Sequence, residues 1–269
     1  MAEGEREVEA KRIVVSDRPR AVVERVAALE SLAGHRLVDR GEVRLRDVYF
    51  DTEDAGLLGR RAALRLRHEG PAVRITLKVE GREVRPGTSD RSELELPWSA
   101  EALERVASAV GALGLPLQRA APAGGAPADA LERMGLRVVQ DRATVRRVRD
   151  VVRGAGGPPV AELVVDSVGF TAGAREAWHH EVEVEARGEA GAAVLEDLEH
   201  ALAALFPGEL LPWPHSKQAT GRAVESLLAG PDAEGLLGPG GDLAPGTYAR
   251  VERFLANGGA PSQRAPRSR

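Results

Sequence analysis

Near the start of the chain, Glu7, Glu9 and Lys11 occupy alternate positions. In a β-strand, side chains two residues apart point to the same face, so these three would stand together, the two carboxylates about 7 Å apart. Two carboxylates on a rigid strand, followed by an ammonium, suit a hard divalent cation beside an anionic ligand. A half-solvated strand shows the same spacing; repetition separates the two readings. Arg65 and Arg67 alternate with Leu64 and Leu66, and Arg74, Thr76 and Lys78 alternate with Val73, Ile75, Leu77 and Val79. Arg91, Glu93 and Glu95 alternate with Ser92, Leu94 and Leu96, and Glu181, Glu183 and Glu185 with Val182, Val184 and Ala186. A water-facing surface mixes neutral polar residues and alternates the sign of its charges, because like charges side by side destabilise a sheet. Here like charges cluster within strands, which predicts material of opposite charge between them. A barrel with its polar parity inward, enclosing a polyanion and divalent cations, meets that need, and its apolar parity faces outward beneath helices.

Such an interior suits phosphoryl transfer, in which catalysis is mostly positioning and charge neutralisation. Arginine pairs phosphate oxygens with a planar fork, while lysine acts as a point charge. Magnesium takes carboxylates, phosphate oxygens and waters, so a few glutamates plus substrate complete its shell.

The elements that must carry these residues follow from periodicity. Alternation predicts strands over 5–15, 42–51, 62–68, 72–79, 91–96, 136–151, 160–170 and 178–186. Helical spacing predicts amphipathic helices over 17–33, 99–113, 189–205 and 216–228, with Ser99 as a cap. About eight strands in two groups of four, each followed by a helix, hint at a duplicated half. We therefore divide the chain into a domain over 1–229 and a Gly/Pro-rich segment over 230–269, expected to be a flexible tail with one short helical candidate at 248–256.

Composition narrows the function classes. Apolar residues make up 43% of the 269 and charged residues 29%, which suits a globular protein with a sizeable core. Aromatics at 3% and a net charge of −4 argue against nucleic acid, which favours stacking platforms and a basic surplus. The absence of cysteine excludes disulfides, thiolate nucleophiles and zinc–sulfur sites. No Gly-x4-Gly-Lys-Ser/Thr loop occurs, which excludes a P-loop. The first residues are acidic and no apolar run reaches 18 residues, so a cytoplasmic location without membrane contact is expected. His179 and His180 are adjacent, so a strand sends them to opposite faces, and no spaced histidine pair accompanies them. Trp98, Trp178 and Trp213 read as packing residues.

The ordered pattern resembles the CYTH superfamily, the triphosphate tunnel metalloenzymes. Glu7-x-Glu9-x-Lys11 matches its ExExK signature. Tyr49-Phe50-Asp51-Thr52, Arg65-Leu66-Arg67, Lys78, Arg91-x-Glu93-x-Glu95, Asp166, Glu181-x-Glu183 and Ser216-Lys217 follow in order. The resemblance implies an α+β fold: an eight-stranded antiparallel β-barrel tunnel with a polar interior, flanked by amphipathic helices. It implies that Lys11, Arg65, Arg67, Lys78, Arg146 and Lys217 hold triphosphate oxygens, with Arg91 on phosphate or on its acidic neighbours. Glu7, Glu9, Asp166, Glu181 and Glu183 would bind Mg2+ or Mn2+, and Glu93 and Glu95 would help position metal or water. Glu7, Glu9, Lys11, Glu93 and Glu95 form the expected catalytic set. One departure stands out: Thr144 occupies a position that is basic in many members, leaving Arg142 or Arg147 to compensate. The implied activity is metal-dependent hydrolysis of inorganic triphosphate or a short polyphosphate. The alternatives are a class IV-type adenylate cyclase, a thiamine triphosphatase (few aromatics are available to stack its ring), or a polyphosphate-binding module without turnover. A small anionic triphosphate is the expected partner of a monomer or homodimer.

Overall fold

The computed structural model describes residues 5–85, 88–118, 125–154, 156–172, 175–231 and 233–258, without the side chains of 5–7, 82–85, 88–91 and 172. Strand β1 (Glu5–Val14) leads into α1 (Pro19–Ala27), the short β2 (Ser31–Leu32) and the long β3 (His35–Asp51). After α2 (Gly56–Gly59) come β4 (Ala62–Glu69), β5 (Ala72–Arg85), β6 (Thr88–Pro97) and helix α3 (Ala100–Ala112). The second half runs α4 (Pro127–Arg133), β7 (Arg137–Val152), β8 (Pro159–Ala172), β9 (Arg175–Ala186), α5 (Gly188–Ala192) and α6 (Leu195–Leu205). It ends with β10 (Leu210–Pro212), α7 (Lys217–Ala229) and α8 (Pro245–Ala256).

All named pairings are antiparallel, and the sheet runs β10-β1-β6-β5-β4-β3-β7-β8-β9, with β2 on β3 and a further pairing of β1 with β9. The expected closed, eight-stranded barrel needs correction: the sheet has ten strands, and its wall is not closed along its length. The reason lies in β1. Its first half, Glu5–Ala10, pairs with β6, while Glu9–Ile13 pairs with β9 on the other edge. Both edges therefore meet these neighbours only at Glu9 and Ala10. Beyond them β10 takes over from β6 along Arg12–Val14.

The parity argument holds on both faces. Leu64, Leu66, Ile75 and Leu77 are buried in one apolar cluster with Leu103, Val106 and Val110 of α3. Ala10, Leu163, Val165, Val182 and Val184 pack with Val22, Val23 and Val26 of α1 and with Leu195, Leu198 and Leu202 of α6. Ser99 caps α3 by accepting from the Ala102 N–H at 3.0 Å.

Several element boundaries differ from the periodic reading: the strand expected over 42–51 begins at His35, and the one expected over 72–79 runs on to Arg85. Helix α1 stops at Ala27 instead of running to residue 33, because Ser31 and Leu32 pair with His35 and Arg36 around Ala33 and Gly34, both at positive φ. Leu32 is buried, so it kept the apolar period without being helical. The helix expected over 189–205 is split into α5 and α6. The segment expected to be a flexible tail is packed over 233–258: Leu236, Leu243, Tyr248, Val251 and Phe254 are buried against Ile13, Phe170, Trp213 and Val224. Its prolines and glycines shape turns, while Tyr248, Val251 and Phe254 supply one apolar face of α8. Residues 259–269 lie outside the described residues.

Candidate active site

The inward parity converges on a cavity of about 170 Å³, room for on the order of ten waters. Glu9, Lys11, Arg65, Arg67, Lys78, Arg146, Glu183 and Lys217, all singled out from sequence, line it together, and so does Glu185. Eight cationic side chains and four carboxylates among the described residues face this space.

Pairing between strands explains how so many charges coexist. Asp47 of β3 stands in register with Arg67 on one side and Arg142 on the other. It is almost fully buried and accepts Arg67 Nε at 2.8 Å and Arg67 Nη2 at 2.9 Å. Arg65 Nη1 lies 3.7 Å away and Arg142 Nη2 3.4 Å away. Burial opposes the ionisation of Asp47, but Arg65, Arg67 and Arg142 outweigh it and hold its carboxyl well below the usual range. Asp166 accepts two hydrogen bonds from Arg146, in a two-pronged contact of 2.9 and 2.7 Å. Lys78 reaches Glu93 at 2.5 Å, and Arg65 lies 3.8 Å from Glu93 and 3.6 Å from Glu95. Part of the charge compensation that the clustered charges require thus comes from neighbouring strands, with acids behind the cations.

Lys217 is the first residue of α7, capped by Ser216, whose hydroxyl accepts the Ala219 N–H at 3.3 Å. Its ammonium lies 2.5 Å from Glu183, 2.7 Å from Glu181 and 3.2 Å from Asp166. Burial alone would lower its pKa; the three carboxylates raise it instead, so the ammonium keeps its proton. Burial likewise opposes the charge on Glu183, yet Lys217, Lys11 and Arg146 hold its carboxyl well below the ordinary range.

Not every expected residue faces the cavity. Asp166 and Glu181 are fully buried behind Arg146 and Lys217. Glu93 and Glu95 also back the cations, and Thr76 donates to Glu95 at 3.0 Å. Glu7 and Arg91 are in register across β1 and β6, but their side chains lie outside the described residues. Of the two candidates to compensate for Thr144, Arg142 faces the cavity, whereas Arg147 points to the opposite face and pairs with Glu24 and Glu42. Sequence reasoning missed Asp47 and Gln218; the signal for Asp47 was its parity with Tyr49, but only strand register shows what it pairs with.

Arg142 is one of the largest fully buried side chains of the protein. Its guanidinium sits 4.5 Å from the Tyr49 ring centroid and donates to the Tyr49 hydroxyl, yet its Nε and Nη1 are buried without an acceptor. An unpaired buried donor is costly.

Among the described residues no group of three His, Asp or Glu side chains is placed to hold a metal ion. Glu9 and Glu183 nevertheless flank the Lys11 ammonium at 3.6 and 3.4 Å, and Glu185 stands opposite Glu9 in register. The space between these carboxylates of β1 and β9 is held by the Lys11 ammonium, and their oxygens are of the donor type that a hard cation takes.

A comparison with curated proteins finds no match. Among solved structures, the chain is similar to HpAC1 from Hippeastrum, named for adenylyl cyclase and described with a dominant triphosphatase activity. The TM-score is 0.52 at 18% identity, covering 81% of this chain and 95% of that one. A protein of Bacillus halodurans named for adenylate cyclase gives a TM-score of 0.46 at 18% identity, covering 80% and 97%. The S. pombe RNA triphosphatase Pct1 gives 0.36 at 13% identity, covering 95% and 84%. The first likeness is one of fold. Residues 5–207 match the CYTH domain, and on that match, which spans most of the chain, the protein belongs to the CYTH domain family.

Proposed function

We propose that this protein hydrolyses a triphosphate, inorganic triphosphate or a short polyphosphate, with the help of Mg2+ or Mn2+. The observation that carries the reading is the convergence of eight cationic side chains, among the described residues, on one cavity. Arg65, Arg67, Arg142 and Arg146, with Lys11, Lys78 and Lys217, hold phosphate oxygens. Asp47, Asp166, Glu93 and Glu95 fix those cations from behind, so little reorganisation accompanies the shift of charge on reaction. Glu9 and Glu183, with Glu7 on the same strand as Glu9 and with Glu181 and Asp166 behind, make the acidic side where a divalent ion would be held. The chemistry such an ion supplies is neutralisation of phosphate charge and activation of a water. Arg and Lys then stabilise charge on the transferring and leaving groups of an in-line attack.

The test is a substrate panel. Purified protein with Mg2+ or Mn2+ should release phosphate from tripolyphosphate faster than from ATP or pyrophosphate. Cyclic AMP and pyrophosphate from ATP would establish the cyclase instead. Glu9→Gln should lower kcat with a modest change in affinity; tight binding without turnover, indifferent to that substitution, would establish a binding module.

A further inference from the structure

Residues 233–258, downstream of the matched CYTH residues, grip the two adjacent histidines of β9. Alternation places them on opposite faces of the sheet. On the outer face, His180 hydrogen-bonds Ser167 Oγ at 2.8 Å through Nδ1 and Asp242 Oδ1 at 3.0 Å through Nε2. Asp242 also accepts Arg20 Nε of α1 at 3.1 Å. The trio has the residue types of a serine hydrolase, but Ser167 is mid-strand, in register with Val145 and His180, and its backbone belongs to the ladder, not to an oxyanion site. It is a clamp. Beside it, the Leu243 N–H donates to the Trp178 carbonyl at 2.8 Å and the Trp178 N–H to the Gly241 carbonyl at 2.9 Å. This adds 241–243 to β9 ahead of the stretch that pairs with β1.

On the inner face, His179 joins this segment to the cavity. Its Nδ1 lies 3.0 Å from the Tyr248 hydroxyl and its Nε2 2.7 Å from Glu181 Oε1. All three residues are buried. Burial opposes charge on Glu181, but Lys217 and Lys11 hold its carboxyl below the ordinary range, so its oxygens only accept and Nε2 carries the proton. Burial, aided by Glu181, pushes the Tyr248 hydroxyl above its usual range, so it keeps its proton, and it stands within hydrogen-bond distance of Nδ1. The second oxygen of Glu181 lies 2.7 Å from the Lys217 ammonium at the cavity wall.

We propose that Tyr248 and His179 are positioning residues: the hydroxyl orients the imidazole, the imidazole orients Glu181, and Glu181 holds Lys217 where it meets the triphosphate. The proposal rests on the triphosphate reading of the cavity. It makes α8, outside the matched residues, part of the apparatus that sets substrate affinity. Lys217 is assigned a binding contact with phosphate oxygens, and its loss is read in KM and Kd.

The experiment uses the full chain. Phosphate release from tripolyphosphate is followed at steady state with Mg2+, and tripolyphosphate binding by calorimetry without added metal. Tyr248→Phe keeps the ring and should raise KM and Kd about three- to tenfold with kcat within about twofold. His179→Gln keeps a donor toward Glu181 and should bind better than His179→Leu, which keeps none. If Tyr248 acts through His179, adding Tyr248→Phe to His179→Gln should change nothing further. Unchanged KM and Kd in Tyr248→Phe, additive effects in the double variant, or equal binding by His179→Gln and His179→Leu would overturn the proposal. A merely structural role would lower the melting temperature without moving KM of the folded protein. Should Tyr248→Phe fail to fold, the Gln and Leu contrast at His179 decides. Wild-type protein that binds tripolyphosphate without cleaving it would end the hydrolase reading while the calorimetric arm still decides the positioning role; no binding at all would end both.

Discussion

At Thr144 the family pattern asks for a base and the chain supplies none, yet Arg142, two residues earlier, shares its parity and reaches the same cavity. Arg147 lies at odd spacing from both and faces outward to Glu24 and Glu42. The two arginines therefore predict opposite outcomes. A charge-assisted hydrogen bond contributes about 1.5–3 kcal/mol, so Arg142→Ala should raise KM for tripolyphosphate about ten- to a hundredfold. Arg147→Ala should leave KM unchanged and at most trim stability, as expected for a half-exposed ion pair. Steady-state kinetics of the two variants check this. The Arg60-Arg61 pair divides in the same way: Arg60 bonds the Leu113, Gly56 and Gly114 carbonyls, while Arg61 lines the cavity.

Strand β4 shows how one element serves packing and binding at once. Leu66 is fully buried in the cluster that includes α3, and its neighbour Arg67 faces the cavity against Asp47. Leu66→Ala should cost about 2–5 kcal/mol of stability through the cavity it leaves, with KM close to that of the parent. Arg67→Ala should instead raise KM strongly while kcat is largely kept. Denaturant melts beside kinetics separate the two, and a Leu66→Ala protein that folds with wild-type stability would contradict the outward burial of that parity. Element ends were less legible than element interiors. The break between α1 and β2 depends on a turn at Ala33 and Gly34, and the docking of α8 depends on an apolar surface built by β1, β8 and α7. Neither is local to the residues concerned.

Across the molecule, stability and ligand binding are linked. Tripolyphosphate at 100 times its Kd should add about 2.7 kcal/mol, raising the melting temperature about 5–10 °C for a chain of this size. Asp47, Glu181 and Glu183 have carboxyls held below their ordinary range. Their contribution to stability is therefore complete above the unfolded carboxylate value of about 4 and is lost as the pH falls below it. Melting temperature measured from neutral to acid pH should hold steady and then drop in that window. By itself the sequence determined the strands, the two parities, and the gathering of Glu9, Lys11, Arg65, Arg67, Lys78, Arg146, Glu183 and Lys217 about one space, because alternation is a local property and charge clustering within a strand is visible in one dimension. The tertiary structure alone decided the ten-stranded sheet with its split β1, the placing of Asp47 between Arg67 and Arg142, the choice of Arg142 over Arg147, and the seating of Tyr248 on His179. Those depend on which strands become neighbours and in what register, and register is set by long-range burial that no single segment carries.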